Sequence, residues 1–297
     1  MAEINFKARV GVWWTSDLWP ITDVIARARE IEQLGYASLF YGEAGLKETF
    51  TQAAALLGGT ERLVVGTGIA NIHARSASAS EAGARTLGAL HPGRFVLGLG
   101  VSHAPLVERG YAGSYSKPLS TMREYLRAMD ALPAEVEPGG QRPARLLAAL
   151  GPKMIELSGA AADGAHPYLV TPEHTASTRE QLGPDKWVVS EQAVALTTDR
   201  ETGLRRAHQH LHMYSQLPNY RKSWLRQGFE ESDLVVGGSD RLAESMVALG
   251  DAEAVAAHVK RHLDAGADHV LVQVLGDDLS ADPLPALREL APALGLS

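Results

Sequence analysis

The chain has 297 residues, 28 Lys+Arg against 35 Asp+Glu for a formal net charge of −7, no cysteine, and 45 % apolar residues. Absence of cysteine excludes a disulfide framework, a thiol nucleophile, an iron–sulfur cluster and a thiolate zinc site. The acidic balance gives no broad basic surface for nucleic acid.

Short apolar runs alternate with helical ones along the chain. Ala8–Trp14 (ARVGVWW) reads as a first strand. Pro20–Leu34 follows as a helix, because Ile21, Val24, Ile25, Ala28, Ile31 and Leu34 recur at helical spacing between an opening proline and Gly35. Ala37–Tyr41 is a second strand and Glu48–Leu57 a second helix, with Gly58-Gly59 as its stop. Arg62–Thr67 is a third strand and Ser76–Leu90 a third helix. Arg94–Val101 (RFVLGLGV) is a fourth strand, followed by a helix at Lys117–Leu132 and a Pro/Gly-rich loop at 133–143. Ala144–Leu150 and the helix Pro152–Ala162 form a fifth unit. Ala165–Val170 with Pro172–Leu182 forms a sixth, and Trp187–Thr197 with Arg200–Tyr214 a seventh. Residues 217–250 lack a clean period and read as an insertion. Ala252–Ala265 is helical, His269–Leu275 is the eighth strand, and a last helix lies near Pro285–Leu294.

Eight βα units predict a (β/α)8 TIM barrel, of roughly 250 residues plus insertions, as one domain over 1–297. An open doubly wound sheet is the competing arrangement. The alternation persists to the C-terminus without a shift in composition, which favours the barrel.

Barrel chemistry sits at the C-terminal ends of the strands, so the residues just after each strand are the candidates. Gly66, Gly68, Gly98, Gly100 and Gly151 lie in or at these mouths, where glycine often marks a bulge or the approach of a ligand to the backbone. Gly98-Leu-Gly100-Val-Ser-His103 opens like a dinucleotide fingerprint but ends on histidine, and Pro105 comes where a long helix would have to open, so that reading fails. Gly151-Pro152-Lys153 opens a helix whose free N–H groups suit a phosphate. Glu43 and His103 each end a strand, and two ionisable groups facing one mouth form an acid–base arrangement. His208, His210 and His212 read as a solvated helix face, and no metal site is expected.

These residues carry a resemblance. GYASLFYGE at 35–43, RLVVGTGIANIHARSA at 62–77, PGRFVLGLGVSH at 92–103, LAALGPKMIELSGAAADGA at 147–165 and DAEAVAAHVKRHLDAGADHVLV at 251–272 are similar to the luciferase-like flavin/deazaflavin oxidoreductases. The order of these segments matches over nearly the whole chain, and the branch most resembled binds coenzyme F420, an 8-hydroxy-5-deazaflavin. The resemblance implies a TIM barrel, a homodimer, and a ring in the barrel mouth backed by a non-prolyl cis peptide at Gly68-Ile69. It implies cofactor contacts at Asn71, Val101 and Ser102 and at Ala149, Leu150, Gly151, Pro152 and Lys153.

Two positions depart from the pattern: Glu43-Ala44 stands where that branch often has Asp-His, and His103 where its sugar-phosphate dehydrogenases have Glu. The seventh strand has no Lys or Arg beyond neighbouring Lys186, which argues against a sugar-phosphate substrate. The expectation is a deazaflavin-dependent oxidoreductase moving a hydride between C5 of the cofactor and a small-molecule substrate, with His103 or Glu43 as acid/base. The alternatives are an FMN-dependent monooxygenase of the same family and a cofactor-binding protein without turnover. MAEINFKARVGVWW lacks the marks of a signal peptide, and no apolar run reaches the roughly 20 residues of a membrane span, so the expected setting is the cytoplasm, away from membranes.

Overall fold

The computed structural model describes residues 4–110, 115–133 and 142–296. Its strands are β1 (Val10–Trp13), β2 (Ser38–Tyr41), β3 (Val64–Thr67), β4 (Ala70–Asn71), β5 (Phe95–Gly100), β6 (Ala144–Ala148), β7 (Gly164–His166), β8 (Trp187–Leu196), β9 (Val247–Gly250) and β10 (His269–Val274). Parallel pairing runs β1-β2-β3-β5-β6-β7-β8-β10 and returns from β10 to β1, which closes an eight-stranded TIM barrel. β4 continues the course of β3 along β5, with Asn71 opposite Gly100. Ala193 and Val194 of β8 pair with β10 and also with β9, so β9 lies on the edge of β8 opposite β10.

Successive side chains of each strand point alternately outward and inward. Outward-facing Val10, Val12, Leu39, Val65, Leu97, Val270 and Val272 pack on the helix ring. Inward-facing Trp13, Phe40, Val64, Val96, Leu146, Val189 and Leu271 fill the barrel. Burying each such chain contributes about 1.5–3 kcal/mol of transfer free energy, which is why the strands read as continuous apolar runs. At the N-terminal end Phe6 stacks on His269 at 3.8 Å, and His269 Nε2 meets Ser38 Oγ at 2.7 Å, plugging the barrel floor.

The helices are α1 (Ile21–Gln33), α2 (Thr49–Gly59), α3 (Ala77–Leu90), α4 (Ala104–Gly110), α5 (Pro118–Asp130), α6 (Pro152–Ala161), α7 (Pro172–Leu182), α8 (Arg200–Tyr214), α9 (Pro218–Arg226), α10 (Asp240–Met246), α11 (Ala252–Asp264) and α12 (Leu284–Ala293). The expected stop at Gly58-Gly59 is corrected: both glycines are helical. A Cβ on Gly59 would lie 2.6 Å from Ile25 Cγ2, so this glycine serves close packing of α2 on α1. The third strand is interrupted after Thr67 and resumes as β4. The sixth ends at His166, because Pro167 lacks the N–H that a ladder needs. Residues 217–250 hold α9, a 3-10 turn at Glu231–Asp233, α10 and the ladder strand β9. Residues 134–141 of the expected loop lie outside the described residues.

Candidate active site

The mouth is organised around the break between β3 and β4, where the Gly68-Ile69 peptide is cis, as the resemblance implies. Three hydrogen bonds from the ends of β1 and β2 hold it. Gly68 N donates to Tyr41 O at 2.7 Å, Trp13 Nε1 donates to Gly68 O at 3.0 Å, and Glu43 N donates to Ile69 O at 3.1 Å. The Glu43 carboxylate then accepts Asn71 N at 2.7 Å and Arg75 Nη1 at 2.9 Å, while Arg75 Nη2 pairs with the other oxygen of Glu43 and with Glu48. Its side chain is 4 % exposed. Both oxygens are thus engaged on the bulge and on Arg75, which leaves neither of them free for the expected proton transfer.

The reading of the strand glycines as room for a ligand is corrected for three of them. A Cβ on Gly98 would lie 1.9 Å from Thr67 O, one on Gly100 2.5 Å from Ile69 Cγ1, and one on Gly66 2.3 Å from the Phe40 ring. The protein itself occupies that space: these glycines let the cis segment and Phe40 press on neighbouring backbone. Gly68 faces Trp13 Nε1 and His166 Nε2, at 2.6 and 3.0 Å from such a Cβ, and Gly151 meets only Arg226, at 3.4 Å.

After β5, Val101 is half-buried, and Ser102 adopts φ 57°, the left-handed turn that swings the chain into α4. His103 O accepts Val107 N at 3.0 Å, so a short helix does follow this strand. The ring of His103 lies 5.7 Å from that of Tyr220. Its Nδ1 is buried without a partner among the described residues, and burial lowers its pKa, so the imidazole is neutral at pH 7. Asn71 is buried with Oδ1 on His73 N at 3.0 Å, leaving Nδ2 without a partner among the described residues.

At the end of β6, Ala149 is buried, while Leu150 O accepts Arg226 Nη2 at 3.1 Å and His174 Nε2 at 3.2 Å. Gly151 caps α6 with no side-chain hydrogen bond, Pro152 occupies the first turn, and Lys153 is exposed beside it. Arg226, from α9, brings a second cation to this helix start; 76 residues separate it from Leu150, and no local spacing announced it.

Facing the bulge is a wall that the sequence reading missed. Tyr168 donates to Gln273 Oε1 at 2.7 Å and accepts from Tyr214 at 3.2 Å. His210 Nε2 approaches the same phenol oxygen at 3.4 Å, and since the Tyr168 proton is committed to Gln273, His210 is the donor. His210 thus turns inward, which corrects its assignment to a solvated face. His208 bonds Gly237 O and Asp240, and His212 is exposed. Among the described residues no group of three or more His, Cys, Asp or Glu is placed to hold a metal ion.

Tyr220 and Trp224 of α9 extend the wall, and Trp224 Nε1 donates to Leu169 O at 3.1 Å. Within electrostatic range of Tyr168, Tyr214 and Tyr220 is Glu191 of β8, 1 % exposed, with Oε2 on Leu169 N at 3.0 Å and Oε1 without a partner among the described residues. Burial raises its pKa to about 8, against the opposing Leu169 hydrogen bond. His166, on β7, donates Nδ1–H to Val189 O at 2.7 Å. Burial lowers its pKa to about 4, so Nε2 is a bare acceptor beside Gly68. A period-two strand containing Glu191, with a polar side chain on the inward face, was the available signal.

A closed parallel barrel whose C-terminal mouth gathers Glu43, Asn71, His103 and His166 has the architecture of a TIM-barrel enzyme. A model of the luciferase-like monooxygenases matches residues 3–269, and the chain belongs to that family. It is similar to a putative coenzyme F420-dependent oxidoreductase of Mycobacterium tuberculosis, with 32 % identity over 125 residues, 42 % of this chain and 35 % of that protein. The chain therefore aligns with only about a third of that relative's length. An F420-dependent glucose-6-phosphate dehydrogenase of Intrasporangium calvum is 27 % identical over 98 % of this chain and 100 % of its own. Among solved structures, an F420-dependent secondary alcohol dehydrogenase in complex with an F420-acetone adduct superimposes with a TM-score of 0.74. That match has 14 % identity and covers 97 % of this chain and 99 % of that one, a likeness of fold. No helix among the described residues is long and apolar enough to cross a membrane.

Proposed function

We propose that the protein is a coenzyme F420-dependent oxidoreductase that moves a hydride between the deazaflavin and a small organic substrate. The observation that carries this reading is Asn71 Nδ2, buried at the break between β3 and β4 and without a hydrogen-bond partner among the described residues. Buried polar groups require partners, and a flat heterocycle bearing carbonyls and ring nitrogens supplies them. When bound, the deazaflavin supplies two-electron chemistry at its C5.

Each residue then has a role. Gly68 and Ile69 would back the ring, while Asn71, Val101 and Ser102 would hold its border. Ala149, Leu150, Gly151 and Pro152 shape the start of α6, whose uncapped N–H groups, with Lys153 and Arg226, receive the anionic end of the cofactor. His103 moves the proton that accompanies hydride transfer to or from a C–O bond, accepting it at Nδ1 when an alcohol is oxidised. Glu43 and Arg75 hold the bulge in place. By the same reading the protein works as a cytoplasmic homodimer on a small-molecule substrate.

Equilibrium titration with oxidised deazaflavin and with FMN at one ionic strength tests the proposal. Tighter binding of the deazaflavin is expected; tighter FMN binding sinks it in favour of the flavin-dependent monooxygenase reading.

A further inference from the structure

The wall opposite the bulge has a chemistry of its own. Tyr168, Tyr214 and Tyr220 come from the end of β7, from α8 and from α9, and they converge, with Tyr214 and Tyr220 ring centroids 4.8 Å apart. Glu191 of β8 lies within electrostatic range of all three phenols. Its backbone N donates to Pro167 O at 3.0 Å and its Oε2 takes Leu169 N, so the carboxyl is clamped on the turn that presents Tyr168. Leu169 holds φ 53° there, fixed from its other side by Trp224. Oε1 remains buried and unmatched. Arg75, beside the bulge, is paired with Glu43 and Glu48, and the side chains of the wall itself are phenols, a carboxyl, an amide, an indole and an imidazole.

We propose that this wall binds an uncharged organic molecule carrying a carbonyl or hydroxyl oxygen, and that Glu191, through Oε1, is the group that gives that oxygen a hydrogen bond. The inference rests on the reading of the mouth as the reacting site. A neutral carboxyl is one O–H donor, and a carbonyl or hydroxyl oxygen is the acceptor that matches it. An anion would meet phenols and a carboxyl, and among the described residues that form this wall there is no cation to offset its desolvation. The pKa of about 8 keeps Glu191 in its acid form at neutral pH. The phenols that face it, Tyr168, Tyr214 and Tyr220, are themselves pushed up by burial and stay neutral through that range. His210, beside Tyr168, is pushed down by burial and is neutral too. Glu191 is therefore the group of this wall whose charge changes on mild alkalinisation, which removes the donor and turns its oxygen against a carbonyl.

The test titrates the full chain, cofactor-free and deazaflavin-saturated, with cyclohexanone and with cyclohexanecarboxylate, followed by tryptophan fluorescence at about pH 6.5 and about pH 9.5. The ketone is expected to bind about tenfold tighter than the carboxylate at the lower pH and to weaken about tenfold at the higher, the scale of one buried hydrogen bond. Glu191→Gln, which keeps a donor, is expected to hold ketone affinity within about threefold and to lose the pH dependence. Infrared spectra should show a neutral-carboxyl C=O band at neutral pH that shifts with the ketone and is missing in Glu191→Gln. Equal or tighter carboxylate binding, a pH-independent wild type, or an unchanged pH dependence in Glu191→Gln overturns the inference. Failure of deazaflavin to bind overturns the proposed function and leaves the cofactor-free titrations standing. Failure of those titrations with deazaflavin binding intact overturns this inference alone.

Discussion

The carboxylate of Glu43 accepts the backbone N–H of Asn71 at 2.7 Å while the backbone N–H of Glu43 donates to Ile69 O at 3.1 Å. One residue at the end of β2 thus grips both sides of the segment beyond the cis peptide, and Arg75 locks its carboxylate from outside.

Glu43→Gln should therefore act through structure. It removes the charge pair with Arg75, whose side chain is 14 % exposed, and leaves that guanidinium with Glu48 alone. A loss of about 1–3 kcal/mol is expected, below the full cost of stripping a buried pair because Glu48 remains. Urea unfolding at neutral pH measures it, and deazaflavin affinity should fall in parallel as the bulge loosens. A variant with unchanged stability and a slowed reaction would return Glu43 to proton transfer.

Lys153→Ala should weaken cofactor binding more at low salt than at high salt. Lys153 is exposed at an uncapped helix start, where Coulomb attraction is screened over roughly 10 Å at 0.1 M salt. Titrations at two ionic strengths read the difference, and equal affinity at low salt removes Lys153 from the site.

His103→Ala should keep cofactor affinity within a few fold and cut the hydride-transfer rate about 10²-fold or more, the scale of a lost proton-transfer group. Because burial lowers its pKa, His103 stays neutral further into the acid than an ordinary histidine. In alcohol oxidation the rate should be flat through neutrality and fall only as pH drops through that lowered value. Single-turnover kinetics against pH checks both parts, and a full rate with weakened cofactor binding would make His103 a binding residue.

Acid should destabilise the fold through histidines buried in their neutral form. His166 has its pKa lowered to about 4, and His262 and His269 to about 3, in each case by burial. Unfolded, each takes a proton near pH 6.5, so the stability they contribute is present above that value. It is lost toward pH 4 by up to about 1.4 kcal/mol per pH unit per group. Glu191 works in the opposite sense: its folded pKa of about 8 exceeds the unfolded value, so its contribution is full in acid and is lost as pH rises toward 8. Glu191→Gln should accordingly gain on the wild type between pH 5 and pH 8.5 in urea-unfolding midpoints. A constant gap across that range would contradict the raised pKa.

The barrel was legible in the sequence because its signals are local. Val10 and Val12, Val65 and Leu97, Val270 and Val272 recur in short runs that face helices on one side and the barrel on the other. Pro20, Gly35 and Pro152 punctuate the helices between them. Gly68-Ile69, His103 and the start of α6 could be marked for the same reason, each lying just past a strand that can be counted. What Glu43 does was decided by tertiary structure, since Arg75 lies 32 residues away and only the folded mouth brings the two charges together. The space at Gly98 and Gly100, which a strand glycine offers to a ligand, is filled by Thr67 O and Ile69 only once the fold is closed. Tyr168, Glu191, Tyr214, Tyr220 and Arg226 look in sequence like ordinary strand and helix residues. Closure of the barrel between β8 and β10, with α8 and α9 folded over the mouth, makes them one wall. Sequence spacing reports periods of two and 3.6 residues along one element; contact between elements depends on packing that no such period records.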